Sequence, residues 1–262
     1  MDRDSEHRDV VVIGSGFGGV LAAWPLVRSG LDVLMLERGE WVDRGPGSWD
    51  PDGTLTLTPH YPGDQLRVRS GGTERSEGMT ACVGGASVFY GGVSTRFRAE
   101  DFRPDPGVTG DPGARWPLGY DDLRPRYLEA ERVLDVAGVD DGDPTAPPRR
   151  AGYPQGLPEL SPTSRMIDDA ARALGLRPHR LPLAINYGGS DDRPDCVRCD
   201  TCDTFACAIG AKNDLASRVL PRLLAEGLEL EAGTAALELE TGGGSVRAVR
   251  ARDVGDGTER RY

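Results

Sequence analysis

Residues 10–37 read VVVIGSGFGGVLAAWPLVRSGLDVLMLE, and this stretch decides the fold. An apolar run of strand length comes first, followed by a G-x-G-x-x-G turn, an apolar segment of helix length and a second apolar run. The second run stops at an acidic residue, Glu37, about 20 residues beyond the glycines. This order is typical of a strand–turn–helix–strand unit that holds the pyrophosphate of a dinucleotide. The sequence therefore predicts an α/β fold with a parallel sheet.

The three glycines of the turn and the distal acid have separate expected roles. Gly14 permits the sharp turn, Gly16 lets the backbone approach a pyrophosphate, and Gly19 lets the helix pack closely on the strand. The N-terminus of the helix adds unpaired N–H groups and the positive end of its dipole. Glu37 can accept hydrogen bonds from a ribose diol and would repel a 2′-phosphate, so we expect a nucleotide other than NADP.

Composition narrows the classes of partner. The 262-residue chain has a formal net charge of −11, and 38% of its residues are hydrophobic, enough for one large domain or two small ones. The acidic balance disfavours nucleic acids and anionic membranes. The charged start MDRDSEHRD does not resemble a signal peptide, and no apolar run reaches membrane-spanning length. We therefore expect no integral membrane segment and a cytoplasmic location.

A second glycine-rich segment, residues 79–97, reads MTACVGGASVFYGGVSTRF. Its two glycine pairs suit a close approach of the backbone to a flat ligand, because glycine has no side chain to obstruct it. A glycine-bulged strand without a ligand is the alternative. Cys82 is predicted to be a small buried apolar residue.

Two helices are predicted in the middle of the chain. The first lies in residues 116–136, WPLGYDDLRPRYLEAERVLDV, where Asp121 or Asp122 can cap it and Pro125 would fall in its first turn. The second begins with Ser161 as the cap and Pro162 as the first helical residue, and runs to about residue 174. Four apolar residues form the predicted buried stripe of the second helix: Ile167, Ala170, Ala171 and Leu174.

The last part of the chain is predicted to hold a short helix and then strands. Residues 228–230 form one strand, and residues 235–240 and 246–252 form a hairpin around a glycine-rich turn. A final strand begins at residue 259. The tail is therefore expected to be a β-meander.

Four cysteines lie between the predicted helices and this tail, spaced C-x2-C-x2-C-x4-C. They are Cys196, Cys199, Cys202 and Cys207. Bacterial ferredoxins use a similar spacing for iron–sulfur clusters, although their last gap is one residue shorter and proline follows it. Four thiolates could also hold zinc, and reduced thiols or a local disulfide without any metal form the third alternative. The spacing leaves these three open.

These segments together resemble the glucose–methanol–choline (GMC) family of FAD oxidoreductases, most closely its cholesterol-oxidase-like branch. Four segments carry the resemblance: VVIGSGFGG with LERG, GMTACVGGASVFYGG, WPLGYDDLRPRYLEAERVL and CVRCDTCDTFACAIGAKNDL. The second is similar to the flavin-contacting segment of the family, and the third to the helix that opens the substrate-domain insertion. The fourth is similar to a cysteine-rich segment found in some members.

The resemblance implies FAD as the cofactor and gives roles to eight residues. The glycines of the turn would contact the pyrophosphate, and Glu37 the adenosine ribose. Three residues of the second segment would lie against the flavin or the pyrophosphate, and one strand residue would bind adenine through its backbone. The implied cofactor-binding residues are Gly14, Gly16, Gly19, Glu37, Gly85, Tyr90, Gly91 and Ala236. Tyr90 stands where asparagine is common in the family.

The implied architecture is an incomplete Rossmann-like FAD-binding domain with a helical and loop insertion. Residues 1–100 would form the FAD-binding portion, and residues 101–195 part of the substrate-domain insertion. Residues 196–262 would hold the cysteine-rich segment and the return to the FAD-binding domain, with the β-meander near the C-terminus.

The implied reaction is FAD-dependent oxidation of the CH–OH group of a sterol, sugar or aliphatic alcohol. Family members are longer, and their active-site histidine with its His or Asn partner lies in a C-terminal part that this chain lacks. His7, His60 and His179 match no catalytic position, so no catalytic residue is assigned. We therefore expect weak FAD binding, poor solubility and no turnover without the C-terminal part or a complementary chain. The alternative is a non-catalytic or electron-transfer flavoprotein subunit with an iron–sulfur cluster at the four cysteines.

Overall fold

The computed structural model describes residues 7–52, 66–70, 72–77, 81–103, 105, 107, 110, 115–140, 142–189 and 193–262. His60 lies outside these residues. The chain divides into two compact units. Unit 1 comprises Met1–Gly91, Cys199–Gly210 and Asp214–Tyr262, and unit 2 comprises Gly92–Arg198 and Ala211–Asn213. The roles predicted for residues 1–100, 101–195 and 196–262 stay predictions.

The described residues form an α/β fold, as predicted. The strands are β1 Val10–Ile13, β2 Val33–Leu36, β3 Leu66–Ser70, β4 Thr73–Glu77, β5 Glu229–Glu231, β6 Thr234–Gly242, β7 Ser245–Asp253 and β8 Glu259–Arg261. The α-helices are α1 Phe17–Arg28, α2 Tyr120–Val133, α3 Pro162–Ala173 and α4 Leu220–Ala225. None of these helices is long and apolar enough to cross a membrane.

A parallel sheet of order β1–β2–β5 forms the base of unit 1. Strand β2 lies in the middle, pairing Val33 with Val10 on one side and Leu34 with Glu229 on the other. All four residues of β2 are buried, as expected for a central parallel strand covered on both faces. The predicted strands at residues 10–13, 33–36 and 228–230 are thus confirmed, the last displaced by one residue.

Helix α1 connects β1 to β2 and packs on the sheet. Its buried residues, Val20, Ala23 and Val27, recur at spacings of three and four, which places them on one face. The helix continues through Pro25 to Arg28, although proline supplies no backbone N–H at that position. The predicted strand–turn–helix–strand unit is therefore present in full.

The end of unit 1 is an antiparallel meander of order β6–β7–β8. Val249 and Ala251 of β7 join Leu34 and Leu36 of β2 in one buried cluster. The meander therefore closes one face of the parallel sheet, because its apolar side chains cover those of β2. The predicted β-meander is confirmed.

In unit 2, helix α2 is capped at its start by a short acidic side chain. The N-cap residue is Gly119 rather than Asp121 or Asp122, and the Asp122 carboxylate accepts the Gly119 N–H at 2.8 Å from within the first turn. The prediction for Pro125 is wrong: the helix begins at Tyr120, which leaves Pro125 inside the helix beyond its first turn. The local pattern located the helix, but the cap at Gly119 moved its start upstream.

Two arginines bind α2 through a buried carboxylate. Glu131 accepts paired hydrogen bonds at 2.7 Å from Arg96, and at 2.7 and 2.8 Å from Arg149. Arg96 also donates to the Tyr120 hydroxyl at 2.9 Å. Burial disfavours the charged carboxylate, but the hydrogen bonds from both arginines outweigh it, and the pKa of Glu131 lies below its usual value.

Helix α3 has the predicted cap but not the predicted burial. The Ser161 hydroxyl accepts the N–H of Ser164 at 3.1 Å, as expected. The predicted buried stripe is wrong: Ile167 is 63% exposed, Leu174 is 79% exposed, and no residue of the helix is buried. An amphipathic pattern indicates which side chains favour burial, but no element in the described part of the chain covers them.

Candidate functional site

The glycine-rich turn after β1 has the geometry that its sequence predicts. Gly14 adopts a left-handed φ of 90°, and its N–H donates to the Leu36 carbonyl at 2.8 Å. A Cβ on Gly19 would lie 1.9 Å from the Gly14 carbonyl oxygen, so only glycine fits there. A Cβ on Gly16 would meet no atom within 4 Å. Protein packing therefore does not require glycine at Gly16, which is consistent with space reserved for a ligand.

The N-terminus of α1 lies directly beyond Gly16, which is the N-cap residue of this helix. Gly16 makes no side-chain capping hydrogen bond, and the first turn of the helix has no acidic residue. The first turn of the helix therefore supplies neither a carboxylate of its own nor a side-chain cap. A phosphate can be held by such N–H groups and by the positive end of the helix dipole.

Glu37 follows β2 and points its carboxylate at this turn. The side chain is almost fully buried. Oε2 accepts the Ser15 N–H at 2.9 Å and the Ser15 hydroxyl at 2.7 Å, and Oε1 accepts the Gly39 N–H at 2.9 Å. Glu37, the residue predicted to bind the ribose, thus lies beside the glycine turn that is predicted to bind the pyrophosphate.

The second glycine-rich segment lies against the first. Gly84 and Gly85 have left-handed φ values of 90° and 57°, and Gly85–Val88 forms a short 3₁₀ helix rather than the alternative bulged strand. The Gly84 N–H donates to the Ser15 hydroxyl at 2.9 Å. A Cβ on Gly85 would come 3.0 Å from the Gly16 Cα, so these two backbones lie close together.

Tyr90 and Gly91 continue this segment. The Tyr90 ring packs edge-on against Phe17, the first residue of α1, with ring centroids 5.6 Å apart. Burial and the charge of Asp214 raise the pKa of the Tyr90 hydroxyl. A Cβ on Gly91 would lie 3.6 Å from the Asp203 Cβ, an ordinary contact distance. Tyr90 therefore lies near the N-terminus of α1, while Gly91 lies beside the cysteine-rich segment.

Ala236 lies on β6, and the first residue of this strand is hydrogen-bonded to Glu37. The Thr234 N–H donates to the Glu37 carbonyl oxygen at 2.8 Å. Ala236 pairs with Ala251, and the register shifts directly after it. The strand predicted to bind adenine through its backbone thus starts beside Glu37.

The cysteine cluster is not organised as a metal site. None of its four cysteines forms a disulfide, and the described residues contain no group of three or more His, Cys, Asp or Glu side chains placed to hold a metal ion. This geometry supports neither the iron–sulfur nor the zinc alternative.

Two cysteines illustrate the difference between an exposed and a buried thiol. Burial opposes ionisation of Cys199, but hydrogen bonds with Thr201 outweigh it and lower the pKa of this exposed thiol. Cys82 is fully buried, and burial raises the pKa of its thiol to about 12. The prediction of Cys82 as a small buried residue is confirmed.

Ser15 is a site residue that the sequence analysis missed. It occupies a variable position of the G-x-G-x-x-G pattern, so the pattern attaches no role to its side chain. In the structure it is fully buried and its hydroxyl contacts both Glu37 and Gly84.

Asp214 is a second missed residue, and its neighbour Leu215 is bonded to the second glycine-rich segment. Its fully buried carboxylate receives paired hydrogen bonds from Arg44 at 2.9 and 3.0 Å, and accepts the Ser217 N–H at 3.0 Å. The Ser87 hydroxyl donates to the Gly84 carbonyl at 2.7 Å and accepts the Leu215 N–H at 3.0 Å. Its position directly after the GAKN residues was the only sequence signal.

A separate cavity of about 360 Å³ lies within unit 2 and contains none of the predicted site residues. Arg96 and Arg149 of the buried ion cluster line it, together with His179. The imidazole Nε2 of His179 lies 3.5 Å from the Asp143 carboxylate. This histidine therefore belongs to unit 2, not to the glycine-rich site.

Comparisons with known proteins agree with this geometry. A family model described as an NAD(P)-binding Rossmann-like domain matches residues 12–42, which include the glycine turn and Glu37. In structure, the chain is similar to pyridoxine 4-oxidase from Mesorbium loti, with a TM-score of 0.59 at 20% identity. That likeness covers 97% of this chain and 48% of the other, and it shows a shared fold.

Relatives in sequence cover nearly the whole chain. It is 38% identical over 260 residues to 6'''-hydroxyparomomycin C oxidase of Streptomyces lividus, covering 94% of this chain and 44% of the relative. It is 37% identical over 243 residues to paromamine 6'-oxidase of Streptomyces fradiae, covering 90% and 42%. A GMC-type oxidoreductase of Mycobacterium tuberculosis is 29% identical over 249 residues, covering 93% and 34%.

The chain thus spans less than half the length of these relatives. The comparisons do not test the cholesterol-oxidase-like branch, which stays a prediction. The family membership is supported by the site and by the relatives. The site features are the glycine turn, the acid after β2 and the adjoining second glycine segment. The chain belongs to the GMC oxidoreductase family and represents the N-terminal portion that carries its dinucleotide-binding site.

Proposed function

We propose that this chain binds FAD and forms the nucleotide-binding part of an oxidoreductase that acts on CH–OH groups. The observation that carries the proposal is the junction of the two glycine-rich segments. Gly85 lies against Gly16, and Ser15 joins Glu37 to Gly84. A nucleotide bound only at the first glycine turn would leave the second glycine-rich segment without a role. A cofactor that extends from adenosine to flavin would contact both segments.

The residues present fit FAD. The uncapped N-terminus of α1 and the open space at Gly16 would receive the pyrophosphate. Glu37 would accept a ribose hydroxyl, and the backbone of Ala236 would receive the adenine. Gly85, Tyr90 and Gly91 would lie along the flavin side. When bound, FAD supplies the hydride acceptor for alcohol oxidation, and the residues of this chain hold and orient it.

The named relatives favour an alcohol of the sugar class over a sterol or an aliphatic alcohol. Two of them are oxidases named for 6'''-hydroxyparomomycin C and for paromamine. We extend that class of substrate to this chain as part of the proposal. The small-molecule substrate, rather than a nucleic acid, also agrees with the net charge of −11.

Turnover would need polypeptide corresponding to the remainder of the relatives, either as a continuation or as a complementary chain. The relatives are more than twice as long as the matched region. The described residues of the glycine-rich site include no histidine that could take the hydroxyl proton as general base. The cytoplasmic location stays a prediction.

Titration of the purified chain with FAD, NAD and NADP tests the proposal. We expect saturable quenching of flavin fluorescence by the chain and tighter binding of FAD than of NAD. We also expect no binding of NADP, because Glu37 would repel its 2′-phosphate. In the presence of the remaining polypeptide, a sugar-class alcohol should bleach the flavin absorbance anaerobically. Failure of the chain to bind FAD, both alone and with the remaining polypeptide, would refute the proposal.

A further inference from the structure

Ser15 makes three hydrogen bonds at the point where the two glycine-rich segments meet. Its N–H and its hydroxyl both donate to Oε2 of Glu37, at 2.9 and 2.7 Å. The same hydroxyl accepts the N–H of Gly84 at 2.9 Å. The Ser15 side chain is fully buried, so water does not replace these partners.

The acceptor capacity of Glu37 shows what this arrangement leaves for a ligand. A carboxylate has about four lone-pair positions, two on each oxygen. The two bonds from Ser15 occupy those of Oε2, and the Gly39 N–H occupies one on Oε1. One acceptor position on Oε1 therefore remains, which is sufficient for a single ribose hydroxyl.

The chain of bonds also links the acid to the second glycine-rich segment. A serine hydroxyl that donates one bond and accepts another strengthens both, because each polarises the other. Removing the hydroxyl would leave the Gly84 N–H buried without its partner and would release one bond on Oε2. Glu37 would then be held only by the N–H groups of Ser15 and Gly39, which fixes the direction of Oε1 less firmly.

We propose that Ser15 is a positioning residue for the cofactor: its hydroxyl fixes Glu37 so that Oε1 takes one ribose hydroxyl, and couples this contact to Gly84. This inference rests on the proposed function and extends it to a residue outside the glycine pattern. Ser15 itself touches no reacting atom and acts through Glu37. Binding of the FAD ribose to Glu37 should therefore stabilise the hydrogen bond between Ser15 and Gly84 in the second glycine-rich segment.

A double-mutant cycle on FAD affinity tests this coupling. The variants are Ser15→Ala, Glu37→Gln and the double substitution, each titrated with FAD by fluorescence quenching. We expect Ser15→Ala to weaken FAD binding about tenfold, as for loss of a hydrogen bond to a charged group. The double variant should bind FAD about as weakly as Glu37→Gln alone. Independent effects that multiply in the double variant would overturn the proposal.

Ser87→Ala is the matched control, because Ser87 is also a fully buried serine bonded to Gly84 but does not contact Glu37. Its effect on FAD affinity should be the same with Glu37 and with Glu37→Gln. Ser15→Thr keeps the hydroxyl and should retain more FAD affinity than Ser15→Ala. Equal losses in Ser15→Thr and Ser15→Ala at equal thermal stability would contradict a role for the hydroxyl.

Hydrogen exchange on the unsubstituted chain removes any dependence on folding of the variants. FAD should increase protection of the Gly84 amide in the unsubstituted chain. An unchanged Gly84 amide in a chain saturated with FAD would overturn the inference while leaving the proposed function standing. Failure of the unsubstituted chain to bind FAD would instead refute the proposed function.

Discussion

Helices α1 and α3 have the same length, twelve residues, and opposite environments. Helix α1 is apolar on most of its surface and buries Val20, Ala23 and Val27 against the sheet of unit 1. Helix α3 separates apolar and polar faces much more clearly, yet Ile167 and Leu174 are largely exposed. The helix with the cleaner amphipathic pattern is the one with no buried residue.

The comparison shows that burial of a helix has two separate requirements: an apolar face in its sequence, and a second surface on which that face can pack. A helix gains most of its stability from packing of an apolar face, and that packing needs a second surface. The parallel sheet supplies the surface for α1. The described part of unit 2 supplies none for α3, and the relatives are more than twice as long as the region they share with this chain. We therefore expect substitutions in the two helices to have very different effects.

The largest difference should follow from placing a charge on each helix. Val20→Asp would put a carboxylate at a fully buried position of α1, which we expect to cost about 3 kcal/mol or more of unfolding free energy. Urea denaturation followed by far-ultraviolet circular dichroism measures this. Native stability in Val20→Asp would show that α1 does not pack as described.

For α2, we expect the buried ion cluster around Glu131 to contribute more to the unfolding free energy than apolar packing does. Glu131→Gln removes the carboxylate shared by Arg96 and Arg149, and we expect a loss of about 3 kcal/mol at neutral pH. The pKa of Glu131 is lowered in the folded state, so its stabilisation is present above its usual value of 4.5 and is lost as pH falls through the folded pKa. Thermal unfolding from pH 7 to pH 3 should show this loss in the unsubstituted chain and a flatter profile in Glu131→Gln. Equal profiles would contradict the assignment.

Neighbouring glycines of α1 offer a matched pair. Gly19→Ala would place a Cβ 1.9 Å from the Gly14 carbonyl oxygen, so we expect a loss of about 2 kcal/mol and of FAD binding. Gly18→Ala meets no atom within 4 Å and should stabilise the helix by up to about 1 kcal/mol. Denaturation and FAD titration of both variants check this, and similar behaviour of the two would contradict the close packing at Gly19.

The smallest effect on stability is expected in α3. The double substitution Ile167→Asp with Leu174→Asp should change the unfolding free energy by less than about 0.5 kcal/mol, because both side chains are exposed. It should reduce self-association in sedimentation velocity, since it removes an exposed apolar face. Arg165→Ala, an exposed change on the polar face, is the control and should leave self-association unchanged. A loss above about 1 kcal/mol would show that the face is covered.

Local features could be predicted from the sequence. The glycine turn, Glu37 and strands β1 and β2 follow from spacing and apolar runs within 28 residues of sequence, 10–37. The hairpin of β6 and β7 follows from alternation around a glycine turn. The cap of α3 at Ser161 also depends only on its neighbours in sequence.

Features that depend on distant residues could not be predicted in the same way. Ser15 gains its role from Gly84, which is 69 positions away, and Asp214 from Arg44, which is 170 positions away. The α3 stripe failed for a related reason, since burial depends on whether another element reaches that face. Helix α2 starts earlier than a cap at Asp121 or Asp122 would place it, because its N-cap residue is Gly119.

The most direct test of the central claim is equilibrium dialysis of the chain against FAD, in the presence of polypeptide corresponding to the remainder of its relatives. The account predicts one FAD bound per chain, with binding reduced in Gly19→Ala and retained in Gly18→Ala. Absence of bound FAD in the unsubstituted chain, or equal binding by the two glycine variants, would contradict the assignment of the glycine-rich junction as the cofactor site.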